Sequence, residues 1–144
     1  MGTSGLPLPR FVSLKSNRVN VRGGPSQDHA ISWVFLQQGL PVEIIAEFEN
    51  WRQIRDSDGE EGWVFHSLLS ARRTALVAPW SDEEFLTLRL NLGDDSELVA
   101  KLEPGILSDL DRCSDGWCQI SVQQIEGWIA QDLLFGTYPD EVIN

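Results

Sequence analysis

The stretch GWCQISVQQIEGWI, residues 116–129, decides the fold, because a close counterpart, NWRQIRDSDGEEGWV, already stands at residues 50–64. Displacing the chain against itself by 66 residues sets Gly39 on Gly105, Trp51 on Trp117 and Ile54 on Ile120. At a displacement of 65, Gly62-Trp63-Val64 meets Gly127-Trp128-Ile129, and Ser67-Leu68-Leu69 meets Asp132-Leu133-Leu134. Matched Trp and Gly at a fixed spacing mark an internal duplication. The period is longer than a solenoid unit and suits two copies of a small domain, expected at residues 11–77 and 81–141.

Each copy carries the signals of short strands. Val42, Ile44 and Ile45, then Trp51 and Ile54, then Trp63 and Phe65 are separated by turn-forming segments such as DSDGEEG. The second copy runs Ile106, Leu107 and Leu110, the turn CSDGWC, Ile120 and Val122, the turn QQIEG, then Trp128 and Ile129. No long stretch has helical period, and HSLLS and QDLLF read as single 3-10 turns before a closing strand. The expected class is therefore all-β, two tandem small barrels packed as one compact unit. The Gly before each second Trp lets strands pack closely at a corner, and the Trp after it covers a barrel end.

The composition, 42% hydrophobic and 23% charged, is that of a folded chain rather than a disordered one. The net charge of -11 is uneven: residues 1–73 hold 8 Lys/Arg and 8 Asp/Glu, residues 74–144 hold 3 and 14. With no basic cluster beyond Arg72-Arg73, nucleic acid and anionic membranes are excluded as expected partners. No apolar run is long enough to span a bilayer, and MGTSGLPLPR lacks the shape of a secretion signal. Residues 1–5, MGTSG, read as an artificial extension and are set aside.

The stretch RVNVRGGPSQDHAISWVFLQQGLPVEIIAEFENWRQIRDSDGEEGWVFHSLLS resembles the bacterial SH3 domain, whose pattern runs from an N-V-R-x-G-P start to a G-W-V end before a Leu-Leu turn. The second copy is similar to a diverged domain of the same kind, with Leu88-Arg89-Leu90 where the first has Val21-Arg22-Gly23. The tandem resembles exported proteins that carry two such domains. The resemblance implies an SH3-like barrel per copy and a periplasmic or otherwise exported location. Bacterial SH3 domains occur attached to wall hydrolases, where they bind peptidoglycan or its cross-bridges. The Ala-Leu-Tyr-Asp-Tyr loop of proline-rich peptide binders is absent, so that specificity does not carry over.

Cys113 and Cys118 flank a four-residue turn, and in a hairpin they would face each other within the about 4.4–6.8 Å Cα separation of a disulfide. An exported location favours the bridge over two reduced thiols, and a Cys pair without nearby His is a poor metal framework. His66 lies in the other copy from the cysteines, so no catalytic pair, cofactor or metal is expected. Where the copies differ in polarity, Phe35 opposes Lys101 and Phe135 opposes Ser70. Those two Phe, with Leu76, Val77 and Trp80, are the expected domain interface.

The expected ligand surface is the groove beside each Trp pair: Arg22, Trp51, Trp63 and His66 in the first copy, Trp117 and Trp128 in the second, with acidic Asp109, Asp111 and Asp115. Aromatic rings as core plugs and acids as a solvated face are the competing explanation. The expected function is a non-catalytic cell-envelope module recognising a peptidoglycan peptide or cross-bridge. The alternative is a periplasmic scaffold for an envelope protein.

Overall fold

In β4 (Pro41–Phe48) Val42 and Ile44 are buried, and the ladder to the next strand carries a bulge between Ile44 and Ala46. A bulge bends a strand and re-aims its two halves. Residues 41–44 pair with β1 (Arg10–Leu14), and residues 43–48 pair with β5 (Trp51–Arg55). With β2 (Val19–Arg22), β3 (Ile31–Phe35), β6 (Glu61–Phe65) and β7 (Leu69–Ser70), this computed structural model, which describes residues 2–144, forms a seven-stranded sheet ordered β3-β2-β6-β5-β4-β1-β7.

A second seven-stranded sheet follows, from β8 (Thr74–Val77), β9 (Leu86–Arg89), β10 (Leu98–Leu102), β11 (Leu107–Ser114), β12 (Trp117–Val122), β13 (Ile125–Ala130) and β14 (Leu134–Phe135). Its order, β10-β9-β13-β12-β11-β8-β14, is the first with every label raised by seven. The bulge recurs between Leu110 and Arg112, 66 residues beyond Ile44 and Ala46. The 3-10 turns His66–Leu68 and Gln131–Leu133 fall where they were expected. There is no α-helix among the described residues.

One expected boundary moves. The chain divides between Arg72 and Arg73, not after Val77. Residues 74–77 do not close the first copy: they open the second, pairing with β11 and with β14. Leu14 and Val77 are the matching positions, each wholly or almost wholly buried and each bonded through its backbone to a turn ending in a left-handed glycine, Gly39 (φ 91°) or Gly105 (φ 86°).

Each unit has its own core. In the first, Val19, Val21, Ile54 and Val64 pack with Leu14 and Ile44. In the second, Leu88, Ile120, Ile129 and Val77 pack around the buried cysteines. Each fully buried aliphatic side chain contributes about 1.5–3 kcal/mol relative to exposure. A Cβ on Gly62 would strike the Val21 side chain and stand 3.2 Å from the Arg22 carbonyl; on Gly127 it would stand 2.5 Å from Leu88 Cγ and 2.9 Å from the Arg89 carbonyl. Glycine at these two positions is what lets β6 lie close against its neighbour β2, and β13 against β9.

The Trp after each of these glycines behaves differently in the two copies. Trp63 is half-buried on the outer face of β6, whereas Trp128 is buried. Ser4, set aside as part of an extension, is tied down: it donates from its backbone (2.8 Å) and its hydroxyl (2.7 Å) to the Glu47 carboxylate.

Candidate functional site

The outer face of β5 and β6 carries Trp51 opposite Phe65 and Gln53 opposite Trp63, because Ile54, Gly62 and Val64 take the inward positions. Trp51 and Phe65 meet edge to face at 5.5 Å between ring centroids. Beside them lies a groove of about 200 Å³ whose other wall is Asn20 and Arg22 of β2, with Gln27 from the following loop and Leu68 from the 3-10 turn. Asn20 Oδ1 is buried there without a hydrogen-bond partner.

Of the four residues expected in this groove, Arg22 and Trp51 line it and two do not. Trp63 sits one rung further along, opposite Gln53 and Arg22. His66, at the start of the 3-10 turn, lies against Phe65 at 5.0 Å and lines a separate cavity with Arg10, Arg52 and Leu69. Arg22 also has a positioning role: its Nη1 donates to the carbonyls of His29 (2.9 Å) and Gln27 (3.3 Å), holding the β2–β3 loop. Arg89 does the same for the β9–β10 loop through the Ser96 carbonyl at 2.8 Å.

Glu47 anchors the cavity that His66 borders. Burial acts to raise its pKa, but the Ser4 hydrogen bonds, with Arg10 at 2.9 Å and Arg52 at 3.3 Å, outweigh burial and lower it to about 2.

In the second unit Trp117 takes the place of Trp51, and its cross-strand partner is Ala130 where the first unit has Phe65. The smaller partner leaves a groove of about 290 Å³, lined by Trp117, Ala130, Gln131, Asp132, Pro139, Asp140 and Asp94. Trp128 belongs elsewhere, under the Arg112 guanidinium at 5.4 Å and beside Leu92 and Ile143. The acids expected here are not the ones that line the groove: Asp111 accepts the Ser121 hydroxyl at 2.6 Å, and Asp115 is exposed in the hairpin turn. Asp109 pairs in register with Thr74 and Ser121.

The wall that carries Pro139 and Asp140 is fixed from behind. Arg73 reaches the Glu141 carboxylate with both nitrogens (2.9 and 3.0 Å) and the Gly136 carbonyl at 2.8 Å. Burial acts to raise the Glu141 pKa, but Arg73, the Tyr138 N–H and the Thr137 hydroxyl hold it below the ordinary carboxylate value.

Cys113 and Cys118 form a disulfide. Their Cα atoms are 4.0 Å apart, closer than the expected range, because they oppose each other in a ladder position where Cys113 N–H and C=O go to Ile143 instead. Among the expected interface residues, Leu76 and Val77 are buried in the second sheet, with Phe135 the register partner of Leu76. Phe35 packs edge to face on Trp33 at 5.8 Å against the first core. Trp80 is exposed. Among the described residues, no group of three His, Cys, Asp or Glu is placed to hold a metal, and no helix is long and apolar enough to cross a membrane.

The groove residues that sequence reasoning missed include Asn20 and Phe65 in the first unit and Gln131, Asp94, Asp132 and Asp140 in the second. The displacement of 65 that pairs Trp63 with Trp128 also pairs Phe65 with Ala130, which was the available signal.

Among curated proteins, the chain is similar to the "Putative N-acetylmuramoyl-L-alanine amidase YrvJ" of Bacillus subtilis (strain 168), at 25% identity over 126 residues. That match takes in 83% of this chain but only 24% of the relative, so the chain spans about a quarter of its length. Among solved structures, NlpC1 of Trichomonas vaginalis aligns at 14% identity and TM-score 0.38, over 92% of this chain and 48% of that one. NlpC2 of the same organism aligns at 13% and 0.40, over 91% and 49%. The bacterial SH3 domain profile matches twice, at residues 15–71 and 83–136, one match within each sheet unit. The chain therefore belongs to the bacterial SH3 domain family, in two tandem copies.

Proposed function

We propose that this chain is a non-catalytic cell-envelope binding module whose first groove recognises a peptidoglycan peptide or cross-bridge. The observation that carries the reading is the groove beside Trp51 and Phe65, with the buried, unpartnered Oδ1 of Asn20 in its wall. Two aromatic faces present apolar surface to an extended peptide, and Oδ1 is an acceptor waiting for a backbone N–H. Family membership and the amidase-named relative support a wall ligand, and the disulfide supports an exported, periplasmic setting. No catalytic role falls to the cysteines, whose sulfurs are bonded to each other.

The test is retention on purified sacculi. Wild type should be retained, and Trp51→Ala should be retained several-fold less. Equal retention of the two sinks the groove.

A second reading, a scaffold for an envelope protein, is favoured by one feature. The edge strand β10 exposes Leu98 and Val99, the kind of edge to which a partner strand adds. Cross-linking to one abundant protein, without sacculus retention, would select it.

A further inference from the structure

The two grooves share the rung that carries Trp51 and Phe65 or Trp117 and Ala130, yet their chemistry is opposite. The first contains Arg22 and no carboxylate; the second contains Asp94, Asp132 and Asp140 and no Lys or Arg. None of these three acids is in an ion pair among the described residues, and all three are exposed. Carboxylates alone make only a solvated acidic face. The second groove has more.

Gln131, where the first copy has His66, lines this groove and is only 4% exposed. Its Nε2 donates to Thr137 Oγ1 at 2.9 Å and to the Glu141 carbonyl at 3.0 Å. A backbone carbonyl can only accept, so the amide is fixed with its nitrogen on that side. Its Oε1 is left buried with no donor. A buried acceptor without a partner is rare and calls for a donor from outside the chain.

A buried, unpartnered acceptor on a residue that lines an acidic groove favours a group that only donates and is positively charged. Trp117 offers a ring face for the apolar stem attached to it. We propose that the second groove binds a primary ammonium group, borne on an alkyl stem or a peptide N-terminus, against Gln131 Oε1, Asp132 and Asp140. This assigns the second copy a ligand chemistry that the first lacks, and it rests on the reading of the chain as a peptide-binding module.

The test is an NMR titration of the full chain with Nα-acetyl-lysine, which keeps its side-chain ammonium, and with Nα,Nε-diacetyl-lysine, which has lost it. Glycinamide supplies the N-terminal form. With acetyl-lysine or glycinamide, the Trp117 indole and the Gly116 and Gln131 amides should shift saturably, while Trp51 stays still. The diacetyl probe should have no effect. Asp132→Asn with Asp140→Asn should weaken binding about tenfold, and raising salt should weaken it further in wild type. Asp140 has φ 61°, a conformation Asn tolerates, so that substitution keeps the backbone. Asp94→Asn alone, on a different loop, serves if the double variant does not fold, and should also weaken binding.

Equal shifts with both lysine probes, no response at Trp117, or unchanged affinity in the Asn variants overturns the assignment. Sacculus retention, measured in parallel, separates the two claims. Retention without ammonium binding overturns this assignment alone, and ammonium binding without retention overturns the peptidoglycan reading alone.

Discussion

Trp51 and Phe65 face each other across β5 and β6 with ring centroids 5.5 Å apart, and the same rung of the second sheet pairs Trp117 with Ala130. An edge-to-face aromatic pair is worth about 0.5–1.5 kcal/mol beyond its area. Phe65→Ala should therefore cost about 1 kcal/mol of stability or somewhat more, and should reduce sacculus retention as Trp51→Ala does. Ala130→Phe should do the converse in the second unit, narrowing the groove so that acetyl-lysine no longer shifts Trp117. Denaturant midpoints and the same titration check both.

Gly127→Ala should destabilise the second unit by about 1–3 kcal/mol, because the new Cβ meets the Arg89 carbonyl and Leu88 Cγ and neither strand can yield freely. Hydrogen exchange of Leu88 and Ile129 should rise. Glu126→Ala, next door but exposed, should leave exchange unchanged.

Reducing the Cys113–Cys118 bond releases a very short loop, for which chain entropy gives about 2 kcal/mol. The melting temperature should fall in reductant. The Cys113 amide, bonded to the Ile143 carbonyl at 2.8 Å, should lose protection among the first. An unchanged melting temperature would show that the ladder holds the hairpin without the bond.

Glu47 titrates at about 2 in the folded chain against an ordinary 4.5. Its folded pKa is depressed, so its stabilising contribution is complete above 4.5 and disappears as pH falls from there through about 2. Glu141 is shifted in the same direction. Glu47→Gln should remove part of the acid sensitivity in that window. The Ser4 amide, followed by NMR between pH 5 and pH 2, should then lose its pH-dependent shift.

Much of the fold was legible because alternation and repetition are local signals. Val42, Ile44 and Ile54 proved to be core, and Gly39 with Gly105 proved to be the same left-handed turn, whereas Trp63 and Phe65, taken as the apolar positions of their strand, face outward with Val64 buried between them. The boundary was not legible, because Thr74–Val77 is a short apolar strand equally able to close one sheet or open the next. Only its pairing with Leu107 and Leu134, far along the chain, decides between them. The grooves were half legible. Trp51 and Trp117 were found from the repeat, but Trp63 and Trp128 were displaced from the grooves by strand register. Asp94 and Asp140 arrive from loops whose positions no short-range pattern encodes.

The close approach of β6 to β2 at Gly62 bears on recognition. Asn20 and Arg22 stand on β2, and Trp51 and Phe65 stand on the β5–β6 hairpin paired beside it. The spacing of the two jaws is thus gauged by an absent methyl group on the opposite face of the sheet, where no ligand reaches. A substitution at Gly62 that the fold survived would reset the calibre of the groove while every residue lining it stayed the same.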